Sequence, residues 1–109
     1  MSARSRRKGA RGELEVLDLL RAHGWTRAHR NFGSGSAGGG DVTDGPAGVV
    51  LEVKRHAGRL DLPAAVRQAE VACGPHGLPV VAHRRDGEPW RATLSLDELI
   101  ALLRLRETA

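Results

Sequence analysis

Aromatic residues and cysteine are scarce in this sequence, and each scarcity excludes a class of protein. The aromatic residues are Trp25, Phe32 and Trp90, too few for a surface that stacks successive unpaired bases. Cys73 is the single cysteine, so no internal disulfide can form and the chain suits a reducing compartment such as the cytoplasm. A structural zinc is disfavoured as well, because Cys73 and His76 have no second pair of ligands at useful spacing.

Long hydrophobic runs are also missing. The apolar segment at residues 99–103 is far shorter than the roughly 20 residues that cross a bilayer. The basic opening leads into a glycine and a helix that contains glutamate, which is unlike a signal peptide. The sequence therefore predicts a soluble protein without a membrane partner. Its 109 residues predict one domain over residues 9–109, preceded by a flexible basic arm at residues 1–8.

Acidic residues are outnumbered by basic ones. The chain has 17 Lys and Arg against 13 Asp and Glu, which gives a net charge of +4 and favours nucleic acid as an anionic partner. An ordinary solvated tail and an arginine-rich composition are the alternative explanation of these charges. The residues expected to contact phosphates are Arg4, Arg6, Arg7, Lys8, Arg11, Arg30 and Arg55.

The hydrophobic pattern predicts helices and strands in mixed order. Apolar residues at helical spacing predict a helix over residues 13–23, and turn residues at 44–47 predict a hairpin between strands 41–43 and 48–55. A cap at Asp61 and a capping box at residues 95–98 predict two further helices, ending near residues 73 and 106. The remaining expected elements are an irregular strand at 25–32, a glycine loop at 33–40 and a second hairpin from strands 78–84 and 90–94. We expect an α/β fold in which helices flank a mixed sheet of four to five strands.

The strand at residues 49–54 carries two charges in an otherwise apolar segment. With side chains alternating between faces, Glu52 and Lys54 share one face about 7 Å apart, opposite Val49, Leu51 and Val53. Charges on a central strand cost stability unless they pair or hold a metal. A structural salt bridge and a catalytic pair are both open interpretations.

Two further carboxylates point toward the same place. The predicted turn at 44–47 brings Asp41 back beside Glu52, where a hard divalent cation such as Mg²⁺ relieves their repulsion. Glu13 lies on the apolar face of the first predicted helix, either as a third acid for this site or as a partner of the helix dipole. Turn chemistry alone, with Asp44 as the important residue, is the alternative for Asp41. A metal site with a lysine suits phosphodiester hydrolysis.

The combination of motifs resembles a known family. It consists of Arg7-Lys8-Gly9, Glu13, a Gly24-Trp25 pair, Arg30-Asn31-Phe32-Gly33-Ser34-Gly35-Ser36, and Glu52-Val53-Lys54. Together these are similar to the archaeal-type Holliday junction resolvases, which some viruses also carry, within the PD-(D/E)xK nuclease superfamily. The resemblance covers residues 7–84, and Gly40 stands where the family motif usually has proline.

The resemblance implies a site and a fold. The fold is a restriction-endonuclease-like core, with Glu13, Asp41, Glu52 and the Val53 carbonyl as ligands of Mg²⁺, for which Mn²⁺ can substitute. Lys54 is implied to be catalytic, and Ser34 matches a loop serine that contributes to cleavage. Ser34 and Ser36 are also expected to contact DNA. The glycine loop lacks the ending of a phosphate-binding loop, so no nucleotide cofactor is expected.

The implied activity is cleavage of four-way DNA junctions by a homodimer. We expect its dimer surface on residues 62–73 and 78–82. The cellular setting is then the nucleoid, or the host cytoplasm if a virus encodes the protein. Two alternatives stay open: a related nuclease acting on other branched, nicked or single-stranded DNA, and a basic DNA-binding module without catalysis.

Overall fold

The computed structural model describes residues 3–31 and 40–109, with side chains from residue 7 onward. Phe32, Ser34, Ser36 and the side chains of Arg4 and Arg6 therefore lie outside the described residues. The helices of the described part are α1 (Ala3–Ala22), α2 (Leu62–Cys73) and α3 (Leu96–Thr108). Its strands are β1 (His29–Arg30), β2 (Val42–Thr43), β3 (Val49–His56), β4 (Leu78–Arg85) and β5 (Arg91–Thr93).

Helix α1 begins at Ala3, whereas the sequence predicted a flexible arm up to residue 8. Alanine, arginine and lysine are good helix formers, and an exposed glycine such as Gly9 costs a helix only about 1 kcal/mol. Lys8 also anchors this first part, because its Nζ lies 2.6 Å from Asp86 Oδ2. The basic residues therefore extend the helix, and Lys8 meets the turn between β4 and β5.

The five strands form two sheets. Strands β3 and β4 are parallel, with α2 as their crossover, and β5 pairs with β4 in antiparallel orientation. Strands β1 and β2 form a separate antiparallel ribbon. The predicted mixed α/β class is confirmed, but the single sheet of four to five strands is divided into three strands and two.

The predicted hairpin between residues 41–43 and 48–55 is not a continuous ladder. Strand β2 pairs with β1 instead, and the ribbon meets β3 where the Asp41 amide donates to the Leu51 carbonyl at 2.8 Å. The chain still reverses at the predicted turn, with Asp44 and Gly48 in the left-handed region at φ 59° and 75°. Strand β2 therefore joins the two-stranded ribbon, and the segment at Asp41 provides the hydrogen bond from the ribbon to β3.

Two small apolar clusters cover the two faces of the larger sheet. On one face Val53 packs with residues of α1, and the cluster comprises Val16, Leu17, Ala28, Val42 and Val53. On the other face Val81 packs against Ala65 and Ala69 of α2. Glu52 is paired in register with Val81, so Glu52 lies on the α2 side and Val53 on the α1 side, as the alternating pattern predicted.

The second half of the chain follows the sequence closely. Asp61 caps α2 by accepting from the Ala64 amide at 3.1 Å, and Ser95 caps α3 by accepting from the Glu98 amide at 3.2 Å. The β4–β5 hairpin turns at Gly87, with φ 82°. Among the described residues, no helix combines the length and apolarity needed to cross a membrane.

The expected dimer surface is largely used inside the protomer. Ala65 and Ala69 of α2 pack on β4, and Val80 and Val81 of β4 are buried. The exposed apolar side chains concentrate instead on α3, which contributes no buried residue. Residues 62–73 and 78–82 are thus core elements, because a crossover helix must cover the parallel strands that it connects.

Candidate active site

Asp41 is fixed against the middle of β3. Its Oδ2 accepts a hydrogen bond of 2.7 Å from the Val53 amide, and its own amide donates to the Leu51 carbonyl at 2.8 Å. On its other side, the Asp41 carbonyl accepts from the Asn31 amide at 3.0 Å. The peptide unit that binds the carboxylate joins Glu52 to Val53, so Asp41 lies directly beside Glu52.

Gly40 allows this close approach. A Cβ at this position would lie 2.6 Å from the Leu51 carbonyl oxygen and 2.8 Å from Val50 Cγ1, and the φ of +70° is also unfavourable for other residues. The Asn31 side-chain amide donates to the Gly40 carbonyl at 2.9 Å and holds this segment from the other side. Proline, whose φ is fixed near −65°, could not adopt this backbone conformation.

Glu52 carries an unfavourable charge in this position. Burial raises its pKa from 4.5 to about 7, with further raising contributions from the Asp41 charge, a hydrogen bond between the two carboxyl groups, and the Glu13 charge. The Lys54 ammonium acts in the opposite direction and lowers the pKa of Glu52. The charges of Asp41 and Lys54 therefore both act on Glu52, and the charge of Glu13 acts on it more weakly.

Glu13 itself has another partner. Arg30 Nε donates to Glu13 Oε2 at 2.8 Å, and the Glu13 side chain is only 19% exposed. Within residues 3–31 and 40–109, no group of three His, Cys, Asp or Glu residues is close enough to hold a metal ion. In the structure Asp41 therefore lies beside Glu52, whereas Glu13 forms an ion pair with Arg30. The role of Glu13 as a metal ligand remains a prediction.

The donor chemistry of the Asp41–Glu52 pair fits a hard divalent cation. Both donors are carboxylate oxygens, which Mg²⁺ and Mn²⁺ accept, and their mutual repulsion is the kind that such a cation relieves. The Val53 carbonyl belongs to the same edge of β3, because the amide and carbonyl of one strand residue point the same way and the Val53 amide faces Asp41. The residues present therefore fit the cation that the sequence predicted.

A basic cleft lies beside α1. It has a volume of about 280 Å³ and is lined by Arg7, Lys8, Arg11, Arg55 and Asp86. Arg7 and Arg11 are exposed, whereas Lys8 pairs with Asp86. The basic residues predicted to contact phosphates therefore fall into two groups. Some are exposed arginines, and others, such as Lys8, already form an ion pair with a carboxylate.

The sequence did not predict the polar cluster that forms around Glu15. The Glu15 carboxylate accepts from Arg55 Nη1 at 3.0 Å, from Trp90 Nε1 at 3.1 Å, and from Arg84 Nη1. Arg55 and Arg84 are paired in register on β3 and β4, so two guanidinium groups lie side by side and need an acid between them. The cluster ties α1 to the sheet and thereby sets the position from which Glu13 projects. Only knowledge of the strand register could have revealed it.

Comparisons with protein-family models, curated proteins and solved structures found no match to the chain. The resemblance to the junction resolvases therefore remains a prediction from sequence motifs. The structure places Asp41 beside Glu52, the Val53 amide binds the Asp41 carboxylate, and the Lys54 charge acts on Glu52. Ser34 lies outside the described residues.

Proposed function

We propose that this protein is a DNA endonuclease that hydrolyses phosphodiester bonds with a divalent cation at Asp41 and Glu52. The observation that carries the proposal is the Asp41 carboxylate held by the Val53 amide directly beside Glu52. Lys54 follows on the same strand face and its charge acts on Glu52. Two adjacent carboxylates lower the stability of the fold unless a cation compensates their repulsion. Together with a lysine, they suit a reaction in which a metal cation and an anionic phosphate bind at the same site.

Each residue has a chemical task in this proposal. Asp41, Glu52 and the Val53 carbonyl would hold Mg²⁺, and the bound cation would polarise the scissile phosphate and lower the pKa of a bound water. The Val53 amide keeps the Asp41 carboxylate in one orientation. Lys54 donates hydrogen bonds to the attacking water or to the phosphate oxygens, where negative charge develops in the transition state.

The preferred substrate in this proposal is a four-way junction. The motifs that support it are those of the resolvase resemblance, together with the basic cleft that carries the exposed Arg7 and Arg11. Contacts to phosphates are independent of sequence, so such a surface reads the shape and charge of DNA. A four-way junction has two-fold symmetry, and paired cuts require two copies of the site, hence a homodimer.

A non-catalytic DNA-binding module is the second candidate, and one observation favours it. Glu13 is engaged by Arg30 instead of joining the carboxylate pair. In this alternative the acidic residues hold the fold together and the basic surface binds DNA. Binding would then be indifferent to Mg²⁺ and no strand would be cut.

A cleavage assay separates these functions. The full chain is incubated with a labelled immobile four-way junction, a nicked duplex, a fork, a linear duplex and a single strand, each with Mg²⁺ or EDTA. The proposal predicts paired symmetric nicks in the junction that require Mg²⁺ and disappear in Asp41→Asn. The matched control is Asp44→Asn, an exposed aspartate three residues away whose backbone conformation asparagine tolerates. Equal cutting of the other substrates would overturn junction selectivity, and binding without cutting would support the second candidate.

A further inference from the structure

Helix α3 carries a row of exposed apolar side chains and is not packed into the core of the described residues. It has 13 residues, none of them buried, and it makes almost no contact with the other described elements. Its exposed large side chains are Leu96, Leu99, Ile100, Leu102, Leu103 and Leu105. Each of these side chains is between 38% and 68% exposed, and contiguous exposed apolar side chains of this kind mark interaction surfaces.

Four of these side chains form one stripe. Leu96, Leu99, Ile100 and Leu103 follow the i, i+3, i+4, i+7 spacing that places side chains on a single helix face. This is the spacing of a seam between two helices. A surface helix that covers its own core would bury such a stripe, but here Leu99 remains 38% exposed and Leu103 43% exposed.

The charges of α3 complement those of a second α3 that runs in the opposite direction. Asp97 and Arg104 are seven residues apart, so they lie on the same flank of the stripe two turns from each other. A two-fold axis through the middle of the stripe brings Leu96 opposite Leu103 and Leu99 opposite Ile100 of the other copy. It also brings Asp97 of each copy to within two residues, about 3 Å along the helix axis, of the level of Arg104 of the other, and it sets the two helix dipoles antiparallel.

We propose that α3 is a self-association surface, and that two copies of this chain pair through antiparallel α3 helices. The occupant is a second copy because the stripe and its flanking charges complement themselves under one two-fold operation. This inference does not rest on the nuclease proposal, since it uses no residue of the candidate active site. It places the main dimer contact on α3, because the packed faces of α2 and β4 are engaged in the core.

The base of α3 offers further contact to the incoming helix. A cleft of about 140 Å³ lies there, and its lining includes Val66, Pro79, Leu94 and Glu70. In the antiparallel arrangement the last turn of the second α3 arrives at this end.

The test is the oligomeric state of the full chain without DNA or metal. Sedimentation equilibrium from about 1 to 500 μM should show a reversible monomer–dimer equilibrium. Leu99→Glu and Leu103→Glu should each weaken the dimer at least tenfold, because they bury a charge in the seam. Val71→Glu is the matched control, as Val71 is 84% exposed on α2, and it should leave the equilibrium unchanged. Far-ultraviolet circular dichroism verifies that each variant keeps its helices.

A charge exchange tests the antiparallel direction. Asp97→Arg and Arg104→Asp should each weaken self-association, since each places like charges near one another. Mixing the two variants should restore the dimer as a heterodimer. A monomer at all concentrations would overturn the proposal, as would a dimer that the Leu99 and Leu103 variants leave intact. Failure of the mixture to recover would overturn the antiparallel arrangement.

Discussion

Glu15 and Glu52 are both partly enclosed carboxylates next to the same sheet, but their partners differ. Glu15 accepts from two guanidinium groups and an indole, so donors surround its charge. Glu52 lies against a second carboxylate, with Lys54 as the cation that opposes the repulsion, and its pKa is raised by burial and by Asp41. The charge of Glu15 is therefore satisfied within the protein, whereas the charge of Glu52 meets a second carboxylate, an arrangement that our proposal assigns to a divalent cation.

The largest expected effect is on the rate of DNA cleavage at the proposed site around Glu52. Lys54→Ala should lower the rate of junction cleavage at least ~100-fold, the usual loss when one group that stabilises transition-state charge is removed. Junction binding, measured by fluorescence anisotropy in Ca²⁺ or EDTA, should change little, because the basic cleft remains. Arg59→Ala, at an exposed position beyond β3, is the control for a lost positive charge. Near-normal cleavage by Lys54→Ala would exclude Lys54 from the reaction.

The next effect is on stability at the Glu15 side. Glu15→Gln removes the carboxylate that Arg55 and Arg84 share, leaves Asp86 as the acid beside Arg55, and should lower the free energy of unfolding by about 2 kcal/mol. Urea denaturation measures it. Asp18→Asn, on the same helix but with its side chain 79% exposed, should change stability by less than about 0.5 kcal/mol. If the two variants were equally stable, the Glu15 cluster would not hold α1 in place.

A smaller effect is expected at Gly40, whose backbone holds Asp41 beside Glu52. Gly40→Ala forces a Cβ against the Leu51 carbonyl and should cost about 1–2 kcal/mol of stability while displacing Asp41 and reducing cleavage. Gly48→Ala has a similar φ of +75° but open space around the new Cβ. It should cost about 1 kcal/mol or less and leave cleavage intact. Cleavage assays and thermal unfolding of Gly40→Ala and Gly48→Ala separate the steric clash from the cost of a positive φ. Equal losses of stability and of cleavage in the two variants would contradict the close fit at Gly40.

The smallest expected effect is a pH-dependent gain at Glu52. A carboxyl whose pKa rises on folding, here to about 7, contributes stability below its unfolded pKa near 4.5 and loses it as the pH rises through 7. In EDTA, Glu52→Gln should therefore be more stable than the parent at pH 8, by about 1 kcal/mol after allowance for solvent screening, and equal to it at pH 4.5. Glu70→Gln, an exposed change on α2, is the control. A loss of stability at pH 8 would show that the Glu52 charge is satisfied within the protein.

Local signals predicted the second half of the chain and the charged strand. Asp61, Ser95 and Gly87 act through neighbours a few residues away, so the caps and the β4–β5 turn could be read directly. The alternating faces of β3 followed from the period of a strand, and the Asp44 turn brought Asp41 to Glu52 as predicted.

Long-range pairing could not be predicted in the same way. The partner of β2 depends on competition between β1 and β3, which no local motif decides. The Glu15 cluster depends on the register that places Arg55 beside Arg84. The Glu13–Arg30 pair depends on where the ribbon meets α1. In each case the sequence contains the residues, but their neighbours are set by tertiary packing.

Cation binding by the Asp41–Glu52 pair tests the central claim most directly. Mn²⁺ is titrated into the full chain, free Mn²⁺ is followed by electron paramagnetic resonance, and Mg²⁺ is added as competitor. We expect Mn²⁺ to bind and Mg²⁺ to displace it. Asp41→Asn and Glu52→Gln should each weaken Mn²⁺ binding at least tenfold, whereas Asp44→Asn should leave it unchanged. Mn²⁺ binding by Asp41→Asn at the parent's affinity would contradict the account, because the carboxylate pair would then not be the cation site.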